Sequence, residues 1–121
     1  MIEIWKPIKN YEGCYEISNL GRVKSLSRQV KGGRTTEELI LKPIKNSHGY
    51  LQVDLCLNGK MKHHKIHRLV AEAFISKDDD TKNTVNHKDY NKHNNCVDNL
   101  EWLSNRENVQ DYFKRKLCEG K

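Results

Sequence analysis

The stretch Thr84-Val85-Asn86-His87-Lys88-Asp89, followed by Asn94-Asn95, Asp98-Asn99-Leu100-Glu101-Trp102-Leu103 and Ser104-Asn105-Arg106-Glu107, decides the reading of this 121-residue chain. Thr84 to His87 predicts a short strand and Leu100 to Leu103 a second one. Between them, Lys88 to Asp98 holds Asn91, Asn94 and Asn95 with little apolar content, which predicts a long loop. Ser104 and Glu107 have the Ser-x-x-Glu spacing of a capping box, so a helix starts there. Val109, Tyr112, Phe113 and Leu117 then fall on one face of that helix. The predicted order is strand, long loop, strand, helix.

Upstream of this unit, Leu51, Val53, Leu55 and Leu57 alternate with polar residues, the period of a half-buried strand. Asn58-Gly59 predicts a two-residue hairpin turn, because both central residues must adopt positive φ. The returning strand, Lys60 to Ile66, is basic. Arg68 to Ile75 predicts a helix with Leu69, Val70, Ala73 and Phe74 facing a core. Ser76 to Asn83, with three consecutive aspartates, reads as a solvated break rather than a metal site. Ile4 to Leu26 reads as short strands and turns, with Gly21 permitting positive φ in the Asn19–Arg22 turn. Ser25 to Glu38 reads as a basic loop whose Arg28, Lys31 and Arg34 suit phosphates. Trp5 and Trp102 are expected in the core. His63, His64 and His67 are expected on a strand's polar face and at a helix start.

Composition narrows the function classes. The net charge is +6, and it is unevenly placed: residues 1–68 carry 13 basic and 6 acidic side chains, residues 69–121 carry 9 and 10. A basic first half favours a polyanionic partner, and a near-neutral second half holds the unusual polar residues. No run approaches the roughly 18 apolar residues of a membrane span, and Met1 leads into a charged stretch rather than an apolar signal. The expectation is therefore no membrane association and a cytoplasmic setting. The four cysteines, at 14, 56, 96 and 118, form no Cys-x-x-Cys pair, so no structural zinc is expected.

His87 among asparagines suggests one kind of chemistry. Amide oxygens bind hard cations, and Mg²⁺ takes few protein ligands while keeping water and accepting phosphate oxygens. A histidine beside such a cation can take a proton from water near neutral pH. That combination suffices for metal-assisted phosphodiester cleavage.

These residues resemble the HNH motif of phage and intron homing endonucleases. His67-Arg68-Leu69-Val70-Ala71-Glu72-Ala73-Phe74-Ile75 is similar to the helix that precedes the motif in that family. Glu3-Ile4-Trp5-Lys6-Pro7-Ile8, Tyr11-Glu12-Gly13, Tyr15-Glu16-Ile17-Ser18-Asn19 and Leu20-Gly21-Arg22-Val23-Lys24-Ser25 resemble the NUMOD-type module found at the N-terminus of these nucleases. The resemblance implies an α+β fold, a small β-rich N-terminal module followed by a ββα-metal hairpin. It implies a NUMOD-type DNA-binding module over 1–48 and an HNH endonuclease domain over 49–121. It implies that His87 is the general base, that Asn86 and Asn108 hold a divalent cation (Mg²⁺, or Mn²⁺), and that Asn99 belongs to the catalytic motif by fixing the loop. The expected partner is double-stranded DNA, gripped by Arg22, Lys24, Arg28, Lys31, Arg34, Lys60, Lys62 and Lys65. A monomer and a homodimer both remain open, and a phage-encoded enzyme would act in the host cytoplasm. Relatives often carry Asp where this chain has Asn86, and a neutral amide should bind the cation more weakly. The alternative reading of the same residues is an HNH-fold DNA-binding module with little or no catalysis.

Overall fold

The computed structural model describes residues 2–29, 32–77 and 79–119, the last five by their backbone alone. Trp5–Pro7 (β1), Tyr15–Ser18 (β2) and Val23–Ser25 (β3) pair antiparallel in chain order. Arg28–Gln29 (β4) and Thr35–Thr36 (β5) make a small separate ladder, so part of the expected basic loop is a hairpin. Leu39–Ile40 (β6) then adds to β3 and completes a four-stranded sheet.

Ile44–Lys45 (β7), Leu51–Leu57 (β8) and Lys60–Lys65 (β9) form a second antiparallel sheet. Asn58 and Gly59 link β8 to β9 with φ of 53° and 76°, the left-handed pair that a tight hairpin with the natural strand twist requires. Strand β9 runs directly into helix α1, Ile66–Phe74, without a side-chain cap. The helix begins two residues earlier than its pattern predicts because Ile66 and His67 are themselves buried. Thr84–His87 (β10) and Leu100–Leu103 (β11) pair antiparallel across the long loop, in the register Thr84 with Leu103 to His87 with Leu100. Helix α2, Asn105–Glu119, follows. Its capping box is formed: the Ser104 amide donates to Glu107 Oε1 at 3.1 Å and the Glu107 amide to Ser104 Oγ at 3.1 Å.

One core joins the two halves. Ile8, Tyr11, Tyr15, Ile17 and Val23 from the N-terminal sheet pack with Val53, Leu55, Ile66, Leu69, Val70 and Leu100. The 48/49 boundary drawn from the sequence therefore crosses a shared core, and it falls between β7 and β8, which pair with each other. Period-two alternation puts Val53 and Leu55 inside, and α1 covers them with its i, i+3, i+4 stripe. Trp102 is buried as expected and donates its indole N–H to the Ile75 carbonyl at 2.9 Å. Trp5 is not a core residue: its ring is half-buried and covered by cations, with Lys24 Nζ 4.1 Å from the centroid. A flat ring at a sheet surface gains from such cover without leaving water entirely. Val109, Tyr112 and Phe113 share one helical face, yet all three are exposed, while Leu117 lies outside the described side chains. None of the helices is long and apolar enough to cross a membrane, among the described residues.

Candidate active site

Strand β10 ends at His87, and the chain then turns sharply. Asn86 and His87 would point to opposite faces of a regular strand. Both nevertheless line one small concavity, with Tyr50, Val85, Tyr90, Lys92 and Asn108. The turn after His87 explains this: Tyr90 N–H closes on the His87 carbonyl at 2.9 Å, and Tyr90 takes a φ of 62°, uncommon for a bulky residue. Asn108 arrives from the first turn of α2, whose position the capping box sets. A wider depression continues over Asp111, Val109, Tyr112 and Phe113.

Each polar group has a defined orientation. Asn86 donates Nδ2 to Glu101 Oε1 across the hairpin at 3.3 Å. A carboxylate can only accept at neutral pH, so this contact assigns the amide nitrogen and leaves the Asn86 oxygen for another partner. His87 is buried, and its Nε2 lies 2.7 Å from Asn95 Oδ1. An amide oxygen accepts, so Nε2 carries the proton and the neutral ring keeps its lone pair on Nδ1. Burial lowers the His87 pKa from the ordinary histidine value, while the Asn95 bond pulls the other way. His87 is therefore neutral at neutral pH, the state a proton acceptor needs.

Two further rings pack on His87. Tyr50 lies 6.0 Å away centroid to centroid in a stacked arrangement, and His67 lies 5.0 Å away. His67 is buried, its Nδ1 has no hydrogen-bond partner, and its pKa falls to about 3, chiefly through burial and then through His87, Lys65 and Arg68. Over the Tyr50 ring stand Lys92 at 4.7 Å and Lys65 at 5.5 Å. Lys92 is further held by the His48 carbonyl at 2.9 Å. The concavity thus holds a neutral imidazole and two side-chain amides, with cations about the Tyr50 ring.

Asn99 stands apart from it. Its Nδ2 donates to Asp89 Oδ1 at 2.8 Å and to the Asn94 carbonyl at 2.9 Å, and its Oδ1 accepts from the Asp89 amide at 3.1 Å. Asp89 also accepts from the Asn91 amide and from Asn94 Nδ2, and these bonds hold its carboxyl below the usual range. Asn99 ties the two ends of the 88–99 loop together and lines neither part of the depression.

The basic residues singled out from the sequence divide. Arg22 pairs with Glu3, Lys24 pairs with Glu38 at 3.2 Å, and Arg28 donates to the Cys14 carbonyl, Ser25 and the Tyr15 hydroxyl. Arg28 is a partly buried clamp in the fold. Arg34 is exposed on β5's flank, and Lys31 lies outside the described residues. Lys60 and Lys62 pair with Leu57 and Leu55 and share their face of the sheet, whereas Lys65 pairs with Gln52 on the other face. His63 pairs with Asp54 on that second face, and His64 meets the Tyr11 hydroxyl at 3.0 Å. Of the described members of this set, only Lys65 comes near the concavity, beside the Tyr50 ring. Sequence reasoning missed Tyr50, Lys92, Tyr90 and Asn95, which reach His87 from distant segments or from inside an irregular loop.

The chain that carries this constellation resembles known proteins. The NUMOD4 motif matches residues 3–56. "DNA endonuclease I-HmuI" of Bacillus phage SP01 is 40% identical over 111 residues, which is 92% of this chain and 58% of that protein. Over most of its length the chain is similar to an HNH homing endonuclease. "Uncharacterized HNH endonuclease L247" of Acanthamoeba polyphaga mimivirus is 39% identical over 121 residues, 95% of this chain and 27% of its own length. A solved structure described as DNA binding and cleavage by the HNH homing endonuclease I-HmuI matches with a TM-score of 0.74 at 38% identity, covering 93% of this chain and 59% of that one. The chain spans less than two thirds of each of these relatives.

Proposed function

We propose that this chain is a divalent-metal-dependent DNA endonuclease of the HNH type, phage-derived and homing-like, acting on duplex DNA. The observation that carries the reading is the convergence of Asn86, His87 and Asn108 on one concavity walled by Lys92. The donor set suits Mg²⁺ or Mn²⁺: two amide oxygens leave most of the coordination shell to water and phosphate. Among the described residues no group of three His, Cys, Asp or Glu side chains is close enough to hold a metal, so the phosphate itself would complete the shell. The cation, held by Asn86 and Asn108, would neutralise charge on the scissile phosphate.

The chain's own groups do the rest. Lys92 and Lys65 draw a phosphate toward the Tyr50 side of the concavity. His87 takes a proton on Nδ1 from a water positioned for in-line attack. The water oxygen bonds to phosphorus as the P–O3′ bond breaks, and the departing O3′ takes a proton from solvent water, leaving a 5′-phosphate and a 3′-hydroxyl. Glu101 aims Asn86, and Asn99 holds the loop, so Asn99 is a positioning residue rather than a participant. Arg22 beside the N-terminal sheet, Arg34 beside β5, and Lys60 and Lys62 on β9 supply backbone grip. One site makes one nick, and a double-strand break takes a second copy or a second event.

A second reading follows from the neutral ligand pair: an HNH-fold module that binds DNA and cuts poorly. Nicking of supercoiled plasmid by wild type and His87→Ala, in EDTA, Mg²⁺ and Mn²⁺, separates the two. Metal-dependent nicking that falls by about 10²–10⁴-fold in the variant, with DNA affinity kept, supports the enzyme. Salt-sensitive DNA binding without nicking in either metal supports the module.

A further inference from the structure

The buried polar side chains among the described residues are Ser18, Asn19, His67, His87 and Asn95. They are not scattered. They form one track from a turn in the N-terminal sheet to the His87 ring. Polar groups are costly to bury without partners, so a contiguous buried track has to be held together by specific bonds.

The turn 18–22 is closed by four such bonds. The Ser18 amide donates to the Arg22 carbonyl, the Gly21 amide to the Ser18 carbonyl, and Ser18 Oγ accepts from the Leu20 and Arg22 amides. Asn19 is pinned from the other side, its Oδ1 accepting from the Ile4 amide at 2.7 Å and its Nδ2 donating to the Ile2 carbonyl at 3.0 Å. This rigid turn meets the 88–99 loop at two points. The Asn19 carbonyl accepts the Val97 amide at 2.8 Å. Gly21, at a φ of 87°, lies directly on Asn95: a Cβ there would stand 2.9 Å from Asn95 Cβ and 3.0 Å from its carbonyl oxygen. Asn95 in turn accepts the His87 Nε2 proton.

The loop has no regular structure between Lys88 and Cys96, so the pairing of β10 with β11 does not place Asn95. Its contacts with the N-terminal turn do. We propose that the Ser18–Gly21 turn of the NUMOD4 segment is a positioning element for the active site: it seats Asn95, and Asn95 fixes the His87 ring with Nε2 protonated and Nδ1 free. The NUMOD4 segment then contributes to the rate of cleavage and not only to holding DNA. This rests on the reading of His87 as the base; the seating of its ring is a separate, directly measurable claim.

The test compares Asn95→Leu, Asn95→Asp and Gly21→Ala with wild type. Three quantities are measured: DNA affinity, single-turnover nicking at saturating protein, and long-range proton–nitrogen NMR of the histidine rings, with His87 signals assigned by their loss in His87→Ala. Wild type should show His87 in the Nε2-protonated form. Asn95→Leu keeps the volume and removes the acceptor; it should slow nicking at least about tenfold at unchanged affinity and shift the His87 ring signals. Asn95→Asp keeps an oxygen facing Nε2 and should stay close to the wild-type rate and ring pattern. Gly21→Ala should resemble Asn95→Leu, and if it does not fold the Asn95 pair still decides.

A wild-type His87 with its proton on Nδ1 would overturn the proposal. So would equal losses in Asn95→Leu and Asn95→Asp, which would make Asn95 a packing residue, or losses matched by weaker DNA binding. If His87→Ala cuts as fast as wild type, the base reading fails, and the ring spectra still judge the seating by Asn95 and Gly21.

Discussion

Two antiparallel hairpins in this protein are closed in opposite ways. β8 and β9 are joined by Asn58 and Gly59 alone, while β10 and β11 are joined by the stretch 88–99. The short turn carries its own geometry, because only residues that accept positive φ fit there. The long one has no such local solution. Asp89, Asn91 and Asn99 bond to its backbone from within and Asn94 to the Asp89 carboxylate, and Gly21 and Asn19 brace it from outside. The self-sufficient hairpin contributes no residue to the lining of the concavity, and the dependent one carries the candidate base. The candidate site sits where backbone shape is held by tertiary contacts, since such a loop can present side chains that a regular ladder would turn away.

The sharpest way to break the comparison is Asn99→Ala. It removes three hydrogen bonds that tie the ends of the long loop. Nicking should fall by about 10–100-fold, and limited proteolysis between Lys88 and Asp98 should speed up while the β8–β9 hairpin stays resistant. Unchanged proteolysis in this variant would mean that the outer braces alone suffice.

Asn86→Asp sharpens it next. The substitution adds a negative charge beside the proposed cation, and cation affinity rises with ligand charge. The Mg²⁺ concentration giving half-maximal nicking should drop by about tenfold. No change in that concentration would argue that Asn86 is not a ligand. The new carboxylate also loses the donor that Asn86 offers Glu101, so the gain is read from the metal titration and not from the maximal rate.

Acid should act on the ring cluster beside the long loop. His67 has its pKa pushed down to about 3 by burial, next to His87, Lys65 and Arg68. Unfolded, it takes up a proton near the ordinary 6.5; folded, it stays neutral until far lower. The unfolded state therefore binds more protons between these values. Stability is full above about pH 6.5 and falls as pH drops toward 3, by up to about 1.4 kcal/mol per pH unit for one such group. Thermal unfolding from pH 7.5 to 4.5 should show a falling midpoint, and His67→Phe should flatten that slope. A slope unchanged by the substitution would place the titration elsewhere.

The smallest effect belongs to the short turn. Gly59→Ala puts a side chain at a φ of 76°, in open space. The cost is backbone strain alone, about 1 kcal/mol, with nicking unaffected. The matching change at Gly21 meets Asn95 as well, so the two glycines should differ far more than their similar φ suggests.

Much of the fold was legible because its signals are local. The Leu51-to-Leu57 alternation, the Asn58-Gly59 turn and the Ser104–Glu107 capping box each involve residues within a few positions of one another, and each appears as read. The strand–loop–strand–helix order around His87 was legible for the same reason, since β10, β11 and α2 are consecutive; that Asn86, His87 and Asn108 share one concavity was an expectation of the family resemblance alone. The basic residues were not. Whether an arginine faces solvent or clamps a carbonyl depends on partners such as Glu3, Glu38 and Cys14 that no spacing rule links to it.

By itself the sequence determined the elements, through short-range periodicity, turn chemistry and capping; the choice of His87, Asn86 and Asn108 as candidates came from the family resemblance. Tertiary structure alone decided which way His87 faces, which distant rings and lysines wall its concavity, and that a turn near residue 20 supports a loop near residue 95. Short-range rules follow from the backbone's few allowed conformations; contacts between remote segments follow from packing the whole chain around one core, which Ile17, Val23, Leu55 and Val70 complete together.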